Sequence, residues 1–165
     1  MGGSPYDTPS GSTEMIKSLA LTTVWSTDQD RDKKFFVETL GFVERTDMQM
    51  GDMRWITVSP KDQPDVQLTL MRPDGSGLDP ESGKALLELV TKGVLGAGAF
   101  NTDDCRATYA ELRAKGVEFL SEPQERPYGV EAIFRDPSGN WYSLIETREE
   151  LDMSKPWADC VEGAS

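Results

Sequence analysis

The side chains that could carry out chemistry are few in this sequence, and they form no complete catalytic or metal-binding set. No histidine is present, which removes the most common metal ligand and the usual general base at neutral pH. The cysteines are Cys105 and Cys160. Cys105 lies in the first turn of a predicted helix, where the helix dipole could lower the pKa of a thiol. Its position four residues before Tyr109 favours instead a cysteine that faces the core.

A series of acidic residues, Asp28, Asp30 and Asp32, resembles an alternating set of cation ligands. It lacks the glycine and the terminal glutamate of a calcium-binding loop, so a solvated helix start is the preferred interpretation. The sequence also contains no glycine-rich phosphate loop, no CxxC pair and no nucleophile elbow. It therefore offers no ready-made catalytic centre.

Composition limits the class of protein and its partners. A chain of 165 residues is long enough for one domain with a sizeable core. Its net charge of −12 argues against nucleic acid and against anionic membranes as partners. The N-terminal sequence lacks the basic and apolar regions of a signal peptide, which predicts a cytoplasmic location with both thiols reduced.

Hydrophobic patterning and turn residues divide the chain into two similar halves. Residues 1–14 and 149–165 are predicted to be tails, the first of them disordered. In the first half we predict a strand at 16–25, a helix at 29–40, and strands at 42–49, 53–59 and 66–71. A linker from residue 73 contains a helix at about 80–92. The second half is predicted to hold a strand at 95–101, a helix at 104–115, and strands beginning at 117, 130 and 141.

The two halves also match residue by residue at a few positions. With a shift of 75 and no gaps, Thr27, Asp28, Arg31 and Gly41 fall on Thr102, Asp103, Arg106 and Gly116. This match predicts that Thr102 and Asp103 cap the second helix as Asp28 caps the first. The common order of elements is stronger support for an internal repeat than these four identities.

The stretch from Val130 to Glu146 reads VEAIFRDPSGNWYSLIE and predicts a strand, a tight turn and a second strand. Pro137 suits the first central position of a turn, and Gly139 and Asn140 tolerate positive φ. Ala132 and Phe134 are expected on one face of their strand. This hairpin closes the second half of the repeat.

Together with FFVETLGF and TDDCRATYAELRAKGVEF, this RDPSGNWYSLIE segment resembles the vicinal oxygen chelate superfamily. That superfamily includes glyoxalase I, the extradiol dioxygenases, the fosfomycin resistance enzymes and the bleomycin resistance proteins. The resemblance covers residues 15–148 and implies an α+β fold of two βαβββ modules, whose curled mixed sheets surround a cleft. Module one would span 15–72, the linker helix 73–94 and module two 95–148. It also implies a homodimer that packs by its sheets or first strands and leaves two clefts.

Enzymes of the superfamily hold a divalent metal in the cleft, usually with histidine and glutamate. The equivalent positions here fall on Leu21, on Gly96 or Ala97, on Ser143, and near Gln67 or Thr69. These side chains do not provide the carboxylate, imidazole or thiolate donors that a divalent metal needs. We therefore expect neither a metal nor another cofactor.

Strand alternation then predicts which side chains line the cleft. They are mostly aromatic or aliphatic, with a few hydroxyls and one amide: Leu21, Thr23, Trp25, Trp55, Thr57, Gln67, Thr69, Met71, Tyr128, Trp141 and Ser143. Such a lining suits a flat, mostly apolar ligand. The alternative is that the large side chains among them fill the core between sheet and helices.

Two functions remain open from the sequence. The first is a metal-free protein of the bleomycin resistance type that binds or sequesters a small aromatic or drug-like molecule. The second is a lyase, isomerase or dioxygenase-type enzyme of the superfamily, metal-free or with atypical ligands. The missing histidine and missing ligand carboxylates favour the binding protein.

Overall fold

The computed structural model describes residues 15–75 and 77–157, so the predicted N-terminal tail and residues 158–165 lie outside the described residues. Each module contains a strand, a helix and three further strands. Module one comprises β1 (Leu21–Trp25), α1 (Gln29–Lys34), a π-helical turn (Phe35–Thr39), β2 (Val43–Met50), β3 (Met53–Ser59) and β4 (Gln67–Met71). A short 3-10 turn (Pro73–Gly75) and α2 (Pro80–Lys92) follow as the linker. Module two comprises β5 (Gly96–Asn101), α3 (Cys105–Ala114), β6 (Glu118–Arg126), β7 (Gly129–Arg135) and β8 (Trp141–Thr147).

Each module forms its own four-stranded mixed sheet. The strand orders are β1-β4-β3-β2 and β5-β8-β7-β6, which are the same order in the two modules. In each sheet the first strand pairs in parallel with the last strand, and the other pairs are antiparallel. The predicted α+β fold of two βαβββ modules is confirmed.

The starts of the two helices follow the internal repeat, except that α3 begins one residue later than the repeat predicts. Asp28 caps α1 by accepting a hydrogen bond from the Arg31 N–H at 3.0 Å. In module two the cap is Asp104, which accepts from the Ala107 N–H at 2.9 Å. The prediction that Thr102 and Asp103 cap α3 was therefore wrong, because α3 begins only at Cys105 and its first turn is bonded by the carboxylate of Asp104.

The π-helical turn explains this difference. The caps Asp28 and Asp104 are 76 positions apart, whereas Gly41 and Gly116, which follow the helices, are 75 apart. The first module thus holds one extra residue between cap and glycine. A π-helical turn, in which the Leu40 N–H reaches the Phe35 carbonyl, accommodates it.

The two modules share one hydrophobic core on the helix sides of their sheets. Phe36 lies edge-on to Tyr142 at 6.1 Å between ring centroids, and Phe42 lies edge-on to Phe100 at 5.3 Å. Tyr142 in turn stacks on Phe134 of the same sheet at 5.3 Å. The side chains that face away from this core are therefore on the outer faces of the two sheets.

The turn between β7 and β8 fastens module two to module one. One carboxylate oxygen of Asp136 accepts hydrogen bonds from the N–H groups of Ser138, Gly139 and Asn140. The Asn140 amide reaches across to donate to the Trp25 carbonyl at 2.8 Å. The Ser138 hydroxyl donates to Asp32 in α1. This turn is therefore a joint between modules as well as a hairpin connection.

Asp32 corrects the interpretation of the acidic series as a solvated helix start. Its side chain is only 2% exposed and accepts hydrogen bonds from the hydroxyls of Ser26 and Ser138. Asp28 and Asp30 remain exposed, as expected for the start of a surface helix. Arg31 also donates from Nε to the Asp32 carboxylate at 3.1 Å, so the buried charge is both paired and hydrogen-bonded, as burial of a charge requires.

Candidate functional site

Eight of the eleven predicted site residues lie together on the outer face of the module-one sheet, which we call the module-one face. Thr23 and Thr57 are both Cα partners of Thr69, so these three threonines form a row across three strands. On either side of that row, Leu21 pairs with Gln67 and Trp25 pairs with Met71. Trp55 lies on the same face of β3. The other face of these strands carries the buried core residues Val24, Ile56, Val58, Leu68 and Leu70.

Two methionines of β2 extend this surface, and the sequence analysis missed them. Met48 pairs with Trp55, and Met50 pairs with Met53 at the end of the hairpin. Met48 is 50% exposed and Met50 is 43% exposed. Met48 lies in the predicted strand 42–49 and Met50 directly after it, and their spacing of two residues was the available signal. Flexible thioether side chains beside tryptophan suit a surface that adapts to apolar ligands.

The polar groups at the centre of the module-one face are buried, although Thr23 of the threonine row is exposed. Thr57 and Thr69 are each 1% exposed, and neither hydroxyl has a hydrogen-bond partner among the described residues. Gln67 is half-buried, and its amide donates to the Pro64 carbonyl at 3.3 Å. Below the edge of the sheet, the Gln29 amide bridges the carbonyls of Arg54 and Leu70. The face therefore offers apolar contact area with neutral hydroxyls at its centre.

Trp141 and Ser143 lie on the outer face of the module-two sheet. The indole of Trp141 lies so close over Gly96 that a Cβ atom there would be 2.6 Å from its Cζ2. Ser143 is the Cα partner of Ile133 on β7 and of Ala99 on β5. Part of the Trp141 indole surface is therefore covered by the neighbouring strand. For that part of the side chain, the alternative of packing within the protein applies.

Tyr128 lies in the turn between β6 and β7, at the other end of the sheet from Trp141. Gly129, next to it, pairs with Thr147, whereas Trp141 starts β8 six residues earlier. Burial, together with a hydrogen bond to Glu131, raises the pKa of the Tyr128 phenol. Its ring lies 6.0 Å from that of Trp157 between centroids, so the chain after residue 148 returns to this end of the sheet.

A single chain does not bring the eleven residues to one surface. Eight are on the module-one face, two are on the outer face of the other sheet, and Tyr128 is at that sheet's far end. The contacts between the modules are made on the opposite sides of the sheets, through Phe36 and Phe42. The two outer faces consequently turn away from the shared core.

The positions that correspond to metal ligands do not fit a metal. Leu21 and Gln67 are neighbours in module one, and Gly96 and Ser143 belong to module two. Of the two residues considered on β5, Ala97 packs against the core, and Gly96 is the one that lies beneath Trp141. Among residues 15–75 and 77–157, no three histidine, cysteine, aspartate or glutamate side chains are grouped as a metal would require. The absence of a metal cofactor stays a prediction.

Cys105 is not a candidate nucleophile. Its side chain is fully buried, and desolvation raises the pKa of its thiol. The thiol donates to the Leu144 carbonyl at 3.5 Å. Of the two interpretations from sequence, the core-facing cysteine is the one that the structure supports.

A cavity with a volume of about 670 Å³ lies at the junction of α1, α2 and the β7–β8 turn. It contains none of the eleven predicted residues. Two arginines flank it, but Arg31 already bonds to Thr27 and Ser138, and Arg135 bonds to Glu118. Its cationic groups are thus engaged within the chain, and the cavity is not the strongest candidate site.

The paired modules, the shared strand order and the joint through the β7–β8 turn define a protein of the vicinal oxygen chelate type. A model of the Glyoxalase/Bleomycin resistance protein/Dioxygenase superfamily matches residues 18–144. The chain therefore belongs to this superfamily. The protein YurT of Bacillus subtilis (strain 168), described as uncharacterized, is 34% identical over 129 residues, which are 78% of this chain and 98% of YurT.

Solved structures agree with this assignment. The crystal structure of UcmS2 is 44% identical, with a TM-score of 0.77, and the match covers 81% of this chain and 100% of UcmS2. TnmS3, an antibiotic binding protein from Streptomyces sp. CB03234, is 31% identical with a TM-score of 0.66. That match covers 81% of this chain and 98% of TnmS3. Within the described residues, no helix is long and apolar enough to cross a membrane.

Proposed function

We propose that this protein binds and sequesters a small, flat, mostly apolar molecule on the module-one face without changing it chemically. The observation that carries the proposal is the continuous surface of Trp25, Trp55, Met48, Met71 and the threonine row. Aromatic faces favour stacked flat ligands, and methionines adapt to their outline. The similarity to TnmS3, an antibiotic binding protein, supports a ligand of the aromatic or drug-like class.

The proposed binding cleft is completed by a second copy of the chain. The module-one face is open to solvent at Leu21, Met48 and Met50, which are 38–50% exposed. The strand β1 is at the edge of its sheet, and the residues just before it include the exposed Ile16 and Leu19. Exposed apolar side chains beside a free strand edge favour pairing with another chain. A homodimer would place a module-two face opposite each module-one face.

An energy estimate shows why the polar groups matter. Micromolar affinity corresponds to about −8 kcal/mol. Burial of ~300 Å² of apolar ligand surface at ~25 cal/mol/Å² gives only ~7 to 8 kcal/mol before the entropy of association is subtracted. Stacking on Trp25 or Trp55 and hydrogen bonds to the face must supply the remainder.

Tryptophan fluorescence provides the test. Aromatic antibiotics and metabolites are titrated into wild type, Trp55→Ala, Trp141→Ala and the control Trp157→Ala, whose tryptophan lies beside Tyr128. We expect micromolar binding by at least one compound, weakened about tenfold or more by Trp55→Ala and unchanged by Trp157→Ala. Trp141→Ala is expected to weaken binding if the partner chain supplies the second wall.

Two outcomes would reject the proposal. Binding that survives both Trp55→Ala and Trp141→Ala would mean that the ligand lies elsewhere, and the absence of any binding would exclude sequestration of this ligand class. Conversion of a bound compound, detected by mass spectrometry after incubation, would establish the enzyme alternative. A co-purifying small molecule seen by native mass spectrometry would identify the ligand directly.

A further inference from the structure

Two hydroxyl groups at the centre of the module-one face have no hydrogen-bond partner within residues 15–75 and 77–157. Thr57 and Thr69 are Cα partners on the neighbouring strands β3 and β4. Both residues are 1% exposed, and both Oγ1 atoms are buried and make no hydrogen bond to the part of the chain that the structure describes. They lie on the same sheet face as Trp55, two positions before Thr57 on β3, and Met71, two positions after Thr69 on β4.

A buried hydroxyl without a partner destabilises the fold that contains it. Valine has almost the same shape, favours strands and would remove the problem at either position. The same two strands use aliphatic residues where they face the core, at Ile56, Val58 and Leu70. Unpaired threonines in this setting need an explanation, because nearly all buried polar side chains in proteins are paired.

A bound ligand can supply the missing partner. A threonine hydroxyl both donates and accepts a hydrogen bond, so it can pair with a carbonyl or with a hydroxyl. Met71, beside Thr69 on the same face, has a flexible side chain that can move to admit a ligand. The partner oxygen should belong to an uncharged group, because a buried ionised group would need a charged or strongly hydrogen-bonding counterpart.

We infer that the ligand is an uncharged oxygenated aromatic compound, such as a phenol, a quinone or an aryl ketone, whose oxygen binds the Thr57 and Thr69 hydroxyls. This inference rests on the proposed function and narrows its ligand class. The apolar ring system lies on the tryptophan and methionine side chains. The two hydroxyls fix its orientation and reject aromatic compounds that lack an oxygen.

Two probes and three substitutions test the inference. 2-Naphthol and naphthalene have the same ring system and differ by one hydroxyl, and each is titrated by fluorescence into Thr57→Val, Thr69→Val and wild type. Thr22→Val is the control, because Thr22 is on β1 but points to the opposite face from Thr23 and is exposed. We expect 2-naphthol to bind wild type at least about fivefold more tightly than naphthalene, and each of the two buried substitutions to abolish that preference.

Thermal unfolding without ligand provides the independent readout. Thr57→Val and Thr69→Val are expected to raise the melting temperature by about 2 °C or more, since each removes an unpaired buried hydroxyl. Thr22→Val should leave both the probe preference and the melting temperature unchanged. A purely structural role for the two hydroxyls does not predict variants that are more stable than wild type and also bind 2-naphthol more weakly.

The failures are distinguishable. If both probes bind and the buried substitutions leave the preference for 2-naphthol unchanged, the inference is wrong and the proposed function stands. If both substitutions lower the melting temperature, the hydroxyls already have partners in the free protein and the inference is also wrong. If neither probe binds wild type, the proposed function fails for this ligand class, and the inference fails with it.

Discussion

Individual polar side chains connect elements that are distant in sequence. Asp47 of β2 accepts hydrogen bonds from Arg54 of β3 and from Lys33 of α1, the latter at 2.6 Å. Arg54 also donates to Asp30 at 2.7 Å. This group of charges holds the first helix over the β2–β3 hairpin. Lys33, Asp47 and Arg54 are each less than one-third exposed, so water screens their charges only in part.

The Asp47 group predicts a specific dependence on pH. The hydrogen bonds from Arg54 and Lys33 hold the pKa of Asp47 well below its ordinary value of 3.8. A carboxyl with a lowered folded-state pKa stabilises the fold above its unfolded-state pKa and loses that contribution as the pH falls toward the folded-state value. We expect Asp47→Asn to reduce the free energy of unfolding by about 1 kcal/mol at pH 7, measured by urea denaturation.

The same denaturation series at lower pH tests the predicted direction of this pH dependence. The difference between wild type and Asp47→Asn should shrink progressively below about pH 4. Glu149→Gln, which changes an exposed carboxyl, serves as the control and should show little difference at any pH. A difference that stayed constant between pH 7 and pH 3 would show that Asp47 acts through packing and not through its charge.

At the scale of elements, close backbone contacts position the modules and the linker helix. Gly139 has φ +115°, and a Cβ atom there would lie 2.4 Å from the Val90 carbonyl oxygen of α2. The β7–β8 turn is thus pressed against the linker helix on one side. On the other side it bonds to α1 and β1 through Ser138 and Asn140. Three other elements, α1, α2 and β1, therefore meet at this one turn.

Gly139→Ala should therefore separate α2 from the turn. We expect a loss of about 2 kcal/mol or more in the free energy of unfolding, measured by chemical denaturation. The matched control is Gly98→Ala, because Gly98 has φ +144° but no atom within 4 Å of the corresponding Cβ position. The control carries the same kind of backbone strain without the steric overlap. Equal losses in the two variants would contradict the role of the close contact.

At the scale of the whole molecule, the shared core determines which surfaces remain for binding. The modules join through Phe36, Phe42, Phe100 and Tyr142 on the helix sides of both sheets. The module-one face and the face that carries Trp141 are left on opposite outer sides. A cleft with walls from both kinds of face then requires two chains. The predicted homodimer stays a prediction, and it has a consequence that can be measured.

A mixing experiment separates the two arrangements. If each cleft takes the module-one face from one chain and the module-two face from its partner, a mixed dimer of Trp55→Ala and Trp141→Ala chains has one intact cleft and one doubly substituted cleft. After unfolding and refolding an equimolar mixture, about a quarter of the clefts should regain wild-type affinity. Clefts formed within one chain would regain none. Light scattering that gives a monomer at micromolar concentration would exclude the dimer altogether.

The sequence by itself determined the order of elements, the two-module repeat and the superfamily. It did so because strand alternation, helix capping by Asp28 and Asp79, and stop signals such as Gly93 are local properties of the chain. For the same reason it predicted the row of side chains on the module-one face. Local patterning also found the β7–β8 turn, although not its contacts with α1 and α2.

Only the tertiary structure decided which sheet faces meet. The buried state of Asp32 depends on Ser138, more than a hundred residues away, and no local signal encodes that partner. The unpaired hydroxyls of Thr57 and Thr69 result from the register of two strands and from what packs around them. The separation of Trp141 from Trp55 follows from aromatic packing between Phe36 and Tyr142. Such long-range packing depends on how side chains fit together over the whole core. The residue pattern along one element carries no information about that fit.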